Sequence, residues 1–227
     1  MVVHGRARGF SLLEVILACT FLVMILTASF FFFRMGSRGF YTAIAKSGAV
    51  GDVQRAARIM QREIELTHLL SATVHKAKTG EEERHGLAVV GLSSWSDPAN
   101  FEADTGLPCW NRWNVFYASR EEIGSLYRIE LMRAPHASGS FYPLRLFDDL
   151  ANVMRDDPLS VPNVLRAGKL CDGVKTFAVE VDDTRQIIKI RLRILSRQGK
   201  RMTSNQSVEK ILETEYEIVP ANTFPEL

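Results

Sequence analysis

The sequence has few cysteines and lacks the short motifs that mark common enzyme sites. Its 227 residues contain no Gly-x-Ser-x-Gly turn, no phosphate-binding loop and no paired cysteine and histidine nucleophile. The five histidines, at positions 4, 68, 75, 85 and 136, show no metal-ligand spacing. His68 and His75 are two turns apart on a predicted helix, too far to share one ion, and we expect both to be solvated. The sequence therefore predicts neither an enzyme nor a metal site.

The acidic residues are not arranged as calcium ligands either. The runs Glu81–Glu83 and Asp182–Asp183 lack the alternating oxygen ligands of a dedicated calcium loop. Both are expected to form solvated turns, and no cofactor is predicted.

The chain also lacks a charge excess outside its first nine residues. There are 28 basic and 26 acidic residues, and Arg6 and Arg8 account for the whole difference of +2. A neutral body gives no electrostatic reason to expect nucleic acid as a partner. With 46% hydrophobic and 24% charged residues, the composition suits one soluble domain rather than a polytopic membrane protein.

One long apolar run is present near the N-terminus. No charge occurs from Val15 to Phe33. Counted from Phe10, the run has 24 residues, or about 36 Å of helix, which is enough to cross a hydrocarbon core of about 30 Å. Glu14 lies near its start, where a carboxylate costs up to roughly 2.5–3.5 kcal/mol near the bilayer centre and less towards an interface. Such a charge needs a partner, and none is within reach in the run itself.

Three interpretations of this N-terminus compete. A secretory signal peptide cut near 27–29 would have an unusually long apolar stretch that continues through four phenylalanines. An uncleaved signal anchor leaves Glu14 unexplained. Removal of a short leader after Gly9 would instead create an ammonium on Phe10, and that of a neighbouring copy could pair with Glu14.

The residues around this point resemble the processing motif of type IV pilins and type II secretion pseudopilins. They read Gly9-Phe10-Ser11-Leu12-Leu13-Glu14-Val15 behind a short basic leader. The resemblance implies that a prepilin peptidase cuts between Gly9 and Phe10 and that Phe10 is N-methylated. It also implies a single-pass subunit in the inner membrane, with its C-terminal domain in the periplasm, that joins a filament. Glu14 would then pair with the Phe10 amine of an adjacent subunit.

Two departures from a major subunit point to a minor one. The proline common near the twenty-second residue of the mature helix is replaced by Phe31, and the mature chain of 218 residues (227 minus 9) is large. The resemblance is strongest to a J-type minor pseudopilin of a type II secretion system or to a large minor pilin of a type IV pilus. Its implied partners are other subunits, the prepilin peptidase, the inner-membrane assembly platform and membrane lipid. A membrane-tethered periplasmic enzyme or binding protein is the alternative from another class.

Beyond the membrane segment the pattern becomes that of an amphipathic helix. Apolar residues recur at spacings of three and four, at Val50, Val53, Ala57, Met60 and Ile64. This predicts that the helix continues to about Ala77, with Gly80 as its stop. Four glycines, at 36, 39, 48 and 51, predict either a flexible joint or a segment that bends on assembly. The predicted regions are a leader at 1–9, a membrane helix at 10–34, an amphipathic helix at 35–79 and a β domain at 80–227.

Two segments near the C-terminus alternate between apolar and charged residues. Residues 188–194 place basic residues on one face, and 212–218 place glutamates there. As antiparallel neighbours they would form a ladder of opposite charges. Further strands are predicted at 87–92, 113–118, 126–132 and 174–181. A long helix followed by antiparallel strands gives an α+β class and agrees with a pilin-like fold.

The cysteines allow one disulfide. Cys19 lies in the predicted membrane helix. Cys109 and Cys171 lie in the predicted β domain at 80–227, which we call the outer domain. In an oxidising periplasm these two could close a loop that stabilises the fold by about 4 kcal/mol. Two unconnected buried thiols are the alternative.

Overall fold

The structure is a computed structural model that describes residues 11–133, 147–155, 157–197 and 209–222. The described residues fall into two compact units, divided between Ala45 and Lys46. One helix, α1, runs from Leu12 to Glu65. The second unit adds a short helix α2 and nine strands, so the class is α+β as predicted. The strands are β1 Thr73–His75, β2 Lys78–Thr79, β3 Glu82–Glu83, β4 Gly86–Gly91, β5 Arg112–Ala118, β6 Gly124–Met132, β7 Val164–Asp182, β8 Ile187–Arg197 and β9 Glu209–Ile218, with α2 at Leu150–Val153 between β6 and β7.

Helix α1 ends earlier than predicted. It stops at Glu65 rather than near Ala77, and the chain continues as a 3-10 turn and strand β1. Distant groups cap this end: Ala221 N–H donates to Glu65 O (2.8 Å) and Asn222 Nδ2 donates to Leu66 O (2.7 Å). The predicted helical boundary at residue 79 is therefore wrong. The four glycines of the predicted joint all lie inside α1, which stays helical through them.

Seven strands form one antiparallel sheet in the order β1-β4-β5-β6-β7-β8-β9, and β2 pairs with β3. All the strands predicted from 87 onwards are confirmed as parts of β4 to β9. The predicted ladder is also confirmed. Lys189 lies opposite Glu217, Arg191 opposite Glu215 and Arg193 opposite Glu213.

The sheet carries a hydrophobic cluster on each of its faces. On one face, Ala56, Met60 and Ile64 of α1 are fully buried against residues such as Phe116 and Phe177. These residues follow the apolar face predicted for the amphipathic helix, except that Ala56 is buried and Ala57 is only half-buried. On the other face, α2 packs in a second cluster that includes Leu150, Val153, Trp113 and Tyr117.

Strand β7 bends the sheet back upon itself. Its first half pairs with β6 and its second half with β8, and the change occurs around Gly173, whose φ is +80°. Beyond this point β7 approaches the segment before β4. His85 N–H donates to Phe177 O (2.8 Å), and Val179 N–H donates to His85 Nδ1 (3.0 Å). The result is a curled sheet whose first strand, β1, comes close to the end of β7.

Candidate functional site

The first candidate site is the apolar start of α1. The segment Leu12–Tyr41 is 30 residues long and apolar enough to cross a membrane, as a membrane anchor or a signal sequence would be. Its large side chains are exposed, including Phe30 at 63% and Phe33 at 76%. A continuous apolar surface of this length is stable only where lipid or protein covers it.

The two threonines of this segment can be buried in a membrane at little cost in free energy. Thr20 Oγ1 donates to Leu17 O (2.8 Å), and Thr27 Oγ1 donates to Val23 O (2.7 Å). Hydroxyls that bond to their own helix leave no unsatisfied donor in a hydrocarbon environment. Glu14 is thus a carboxylate in a segment whose threonines are satisfied locally.

Glu14 belongs to a capping box with Ser11. Ser11 N–H donates to Glu14 Oε2 (3.1 Å), and Glu14 N–H donates to Ser11 Oγ (3.3 Å). This reciprocal pair satisfies two of the backbone donors left open at a helix start, where a negative charge also interacts favourably with the helix dipole. The predicted roles of Glu14 did not include this one, although the spacing Ser11-x-x-Glu14 is its signature. Gly9 and Phe10, the predicted processing site, lie outside the described residues.

The described part of the outer domain does not contain the predicted disulfide. Cys171 is a buried free thiol on β7, on the sheet face that packs against α1. Cys109 directly precedes Trp110, which belongs to the cluster on the opposite face. Burial raises the pKa of Cys171 to about 12, so this thiol is not a reactive nucleophile.

Two histidines lie in the interior, contrary to the expectation for His68. His68 is fully buried at the N-cap of the 3-10 turn, where its Nδ1 accepts from Leu70 N–H (3.2 Å). Burial lowers the pKa of His68. His85 is buried against β7, whereas His75 is half-buried on β1. No metal-binding cluster of histidine, cysteine or acidic residues occurs among the described residues.

In the acidic run at 81–83, Glu81 lies exposed in a turn as predicted, whereas Glu82 and Glu83 form ion pairs. Glu83 accepts from Arg191 (2.8 Å), and Glu82 lies 3.4 Å from Arg193. Thr176 also donates its hydroxyl to Glu82. The β2–β3 hairpin is thus held against β7 and β8 by these polar contacts.

A second ionic network ties α1 to the sheet. Arg128 on β6 contacts Glu63 on α1 (2.5 Å) and Glu130 (2.5 Å), and Arg112 on β5 contacts Glu130 (2.7 Å). Glu63, Arg128 and Glu130 are mostly buried. Burial raises the pKa of Glu63, and the bond from Arg128 opposes that shift. The sequence predicted residue 63 only as part of an amphipathic helix. It did not predict the ion pair, because the partner Arg128 lies on a distant strand.

Arg84 is the most deeply buried charge among the described residues. It is fully buried before β4, and its Nη2 donates to the carbonyls of Glu121 (3.2 Å) and Glu122 (2.9 Å). Burial lowers the pKa of Arg84. These two bonds tie Arg84 to the β5–β6 connection.

Comparison with known proteins leaves the family open. The chain matches no protein-family model, no curated protein and no solved structure. The functional conclusion therefore depends on the residues themselves.

Proposed function

We propose that the protein is a minor subunit of a filament of the type IV pilin class, most simply a pseudopilin of a type II secretion system. The observation that carries this proposal is the helix start: an exposed, membrane-length apolar segment that opens with a carboxylate at Glu14, directly after Gly9-Phe10 and a basic leader. The outer domain, with the last turns of α1 packed on an antiparallel sheet, is compatible with a pilin-like subunit.

The function would be mechanical rather than catalytic. A prepilin peptidase removes residues 1–9, and the new amine of Phe10 enters the apolar layer that holds Glu14. Each charge alone is unfavourable in that layer, and a pair between subunits offsets much of the cost. Only a correctly staggered neighbour satisfies both charges, so the pair would set the axial position of an incoming subunit.

Assembly defines the proposed location and partners. The subunit waits in the inner membrane with its outer domain in the periplasm, and then contacts other subunits and the inner-membrane assembly platform. As a minor subunit it would initiate or cap the filament and assist protein export. A minor pilin of a type IV pilus would use the same residues for adhesion, motility or DNA uptake.

One observation favours a second candidate, a membrane-tethered periplasmic domain that joins no filament. The capping box with Ser11 gives Glu14 a role within its own helix, so a tether could retain the carboxylate without a neighbour. A tether has no need, however, for a cut after Gly9.

Processing distinguishes the two candidates. We expect mass spectrometry of the full chain, extracted from the membranes of cells with an active prepilin peptidase, to find an N-methylated Phe10 at the N-terminus. Gly9→Val should block this cut, because a bulky side chain is not expected to fit where the peptidase accepts glycine. Gly5→Val, in the same leader but outside the motif, is the matched control and should be processed normally. Recovery of the uncut leader in the unmodified protein would exclude the filament assignment.

A further inference from the structure

Three arginines lie on the side of α1 that faces away from the sheet. Arg55, Arg58 and Arg62 recur at spacings of three and four residues, and all three are exposed. At 3.6 residues per turn, they lie about 160–220° around the helix from the residues buried against the sheet. Those buried residues are Ala56, Met60 and Ile64. We call the row of arginines the basic face of α1.

The basic face carries a repulsion that its own helix does not relieve. The residues three and four positions from Arg58 are two glutamines and the other two arginines, and like charges at these spacings destabilise a helix. Acids flank the row only beyond its two ends, at Asp52 and Glu65, and Glu63 is already bound by Arg128. Among the described residues, no ion pair reaches any of the three arginines. The row therefore lacks a counter-charge along its middle.

Two segments on the opposite face of the sheet carry an excess of acids. Residues 92–111 contain three acidic residues and no basic one, and residues 133–163 contain four acidic and three basic residues. The excess is four negative charges (7 minus 3). Both segments pack in the cluster on the face opposite α1, through residues such as Trp110 and Leu150. We call their outer surface the acidic face.

The carboxylates of the acidic face are accessible. Five of them are exposed, at Asp97, Asp104, Asp148, Asp149 and Asp157. No ion pair neutralises these five within the part of the chain that the structure describes. The neighbouring Arg133 is engaged elsewhere, because its guanidinium carbon lies 5.4 Å from the centre of the Trp113 ring and its Nη1 donates to Trp110 O (3.1 Å). Leu159, which is 80% exposed, adds an apolar side chain close to these acids.

We propose that the basic face of α1 binds the acidic face of a second copy of this chain, head to tail. Guanidinium groups form paired hydrogen bonds with carboxylates, and the aliphatic stems of the arginines can pack on Leu159. Because the two faces lie on opposite sides of one copy, a pair of copies still offers one free face of each kind. Such a heterologous contact extends into an open chain unless its rotation closes a ring.

The same charges exclude a symmetric pair. A two-fold pair brings the same patch of both copies together. Joined through α1, it would oppose arginines to arginines, and joined through the acidic face, it would oppose carboxylates to carboxylates, so both pairs would be repelled. Both faces belong to the unit that begins at Lys46. The inference is therefore independent of the filament proposal, since a tethered domain would present the same two faces.

Charge reversal in the full chain tests the proposal. In non-ionic detergent micelles, sedimentation velocity should show association of the unmodified protein at about 50 mM salt and its loss at about 500 mM, where surface charges are screened. One variant reverses the basic face by Arg55→Glu, Arg58→Glu and Arg62→Glu. The other reverses the acidic face by Asp148→Lys, Asp149→Lys and Asp157→Lys. Each variant alone should associate at least about tenfold more weakly, because like charges then meet.

An equimolar mixture of the two variants separates a specific contact from a general effect of charge. Their two reversed faces are complementary again, and so are their two unmodified faces, so the mixture should recover association. Arg120→Glu, an exposed base on the β5–β6 connection, is the control and should leave association unchanged. If a triple variant does not fold, Arg58→Glu alone should weaken association in the same direction.

Three results would overturn the proposal. The first is an unmodified protein that does not associate at low salt, or whose association is independent of salt. The second is a pair of folded variants that fail to recover association when mixed. The third is a loss of association in the arginine variant alone, which would mean that the basic face binds an acidic surface other than the one proposed.

Discussion

Arg191 lies directly opposite Glu215 in the β8–β9 ladder, yet its guanidinium donates to Glu83 on β3 at 2.8 Å. The nearest backbone neighbour is thus not the ion-pair partner. The bond with Glu83 is the main cause that raises the pKa of Arg191, and Glu215 adds a smaller electrostatic contribution. The basic residues of β8 consequently face the glutamates of β9 and also form ion pairs with the β2–β3 hairpin.

This arrangement predicts which charges are coupled. A double-mutant cycle of Arg191→Ala with Glu83→Gln should give a coupling free energy of about 0.2–1 kcal/mol, because both side chains are partly exposed to solvent. The same cycle with Glu215→Gln should give a smaller value. Urea unfolding of the full chain in detergent would measure both. A larger coupling to Glu215 than to Glu83 would contradict the observed contact.

Gly173 is predicted to be the least tolerant glycine of β7. Its φ of +80° is unfavourable for any L side chain, and an added Cβ would lie 2.6 Å from Leu195 O. Gly173→Ala should therefore destabilise the outer domain by about 1–3 kcal/mol. Gly168→Ala in the same strand is the control, since a Cβ added there would meet nothing within 4 Å and its φ is not in the left-handed region. Similar unfolding midpoints for the two variants would argue against the bend at Gly173.

The buried network predicts a pH dependence at Glu63. Burial raises its folded pKa above the unfolded value, so the folded state binds the proton more tightly and the stability contributed by this group falls as pH rises through the folded pKa. Lowering the pH from about 7.5 to about 5 should thus stabilise the unmodified protein relative to Glu63→Gln. Glu65→Gln, on the same helix but outside the network, controls for the loss of one carboxylate. Thermal unfolding at both pH values provides the measurement, and an opposite sign would mean that Arg128 outweighs burial.

Three substitutions separate the local and intermolecular roles of Glu14. Glu14→Gln keeps an acceptor for the capping box and removes the charge, Glu14→Leu removes both, and Ser11→Ala removes the cap at a cost of about 0.5–2 kcal/mol to the helix. If pairing with a neighbour's amine directs assembly, both Glu14 variants should be cleaved but remain in the inner membrane, whereas Ser11→Ala should still assemble. Crosslinking to filament partners in cells would measure incorporation. Normal incorporation of Glu14→Gln would leave the cap as the only role supported for this residue.

The sequence was sufficient where the determining interactions are local or regular. Strands β8 and β9 were predictable because apolar and charged residues alternate at period two and the charges of the two segments are complementary. The capping box was equally readable from the spacing of Ser11 and Glu14, but a carboxylate beside a long apolar run first suggests a cation from outside the helix.

Long-range contacts account for the main failures. The segment after Glu65 continues a helical spacing, but Thr67 donates its hydroxyl to Val90 O (2.8 Å) on β4, which draws the chain into the sheet. Likewise, the ion pairs of Glu82 and Glu83 reach residues more than a hundred positions away. No local pattern reveals such partners, so the early helix end, β1 and the role of the acidic run could not be predicted.

The bonds from Ala221 and Asn222 to the last turn of α1 have a mechanical consequence. A tensile force on the helix would be transmitted to the rest of the domain by these two hydrogen bonds as well as by the covalent chain. The load then passes into β9, whose ten residues are each paired with β8. Paired strands that are pulled along their length share the force among many hydrogen bonds, so we expect these contacts to resist unravelling of the domain from the end of α1.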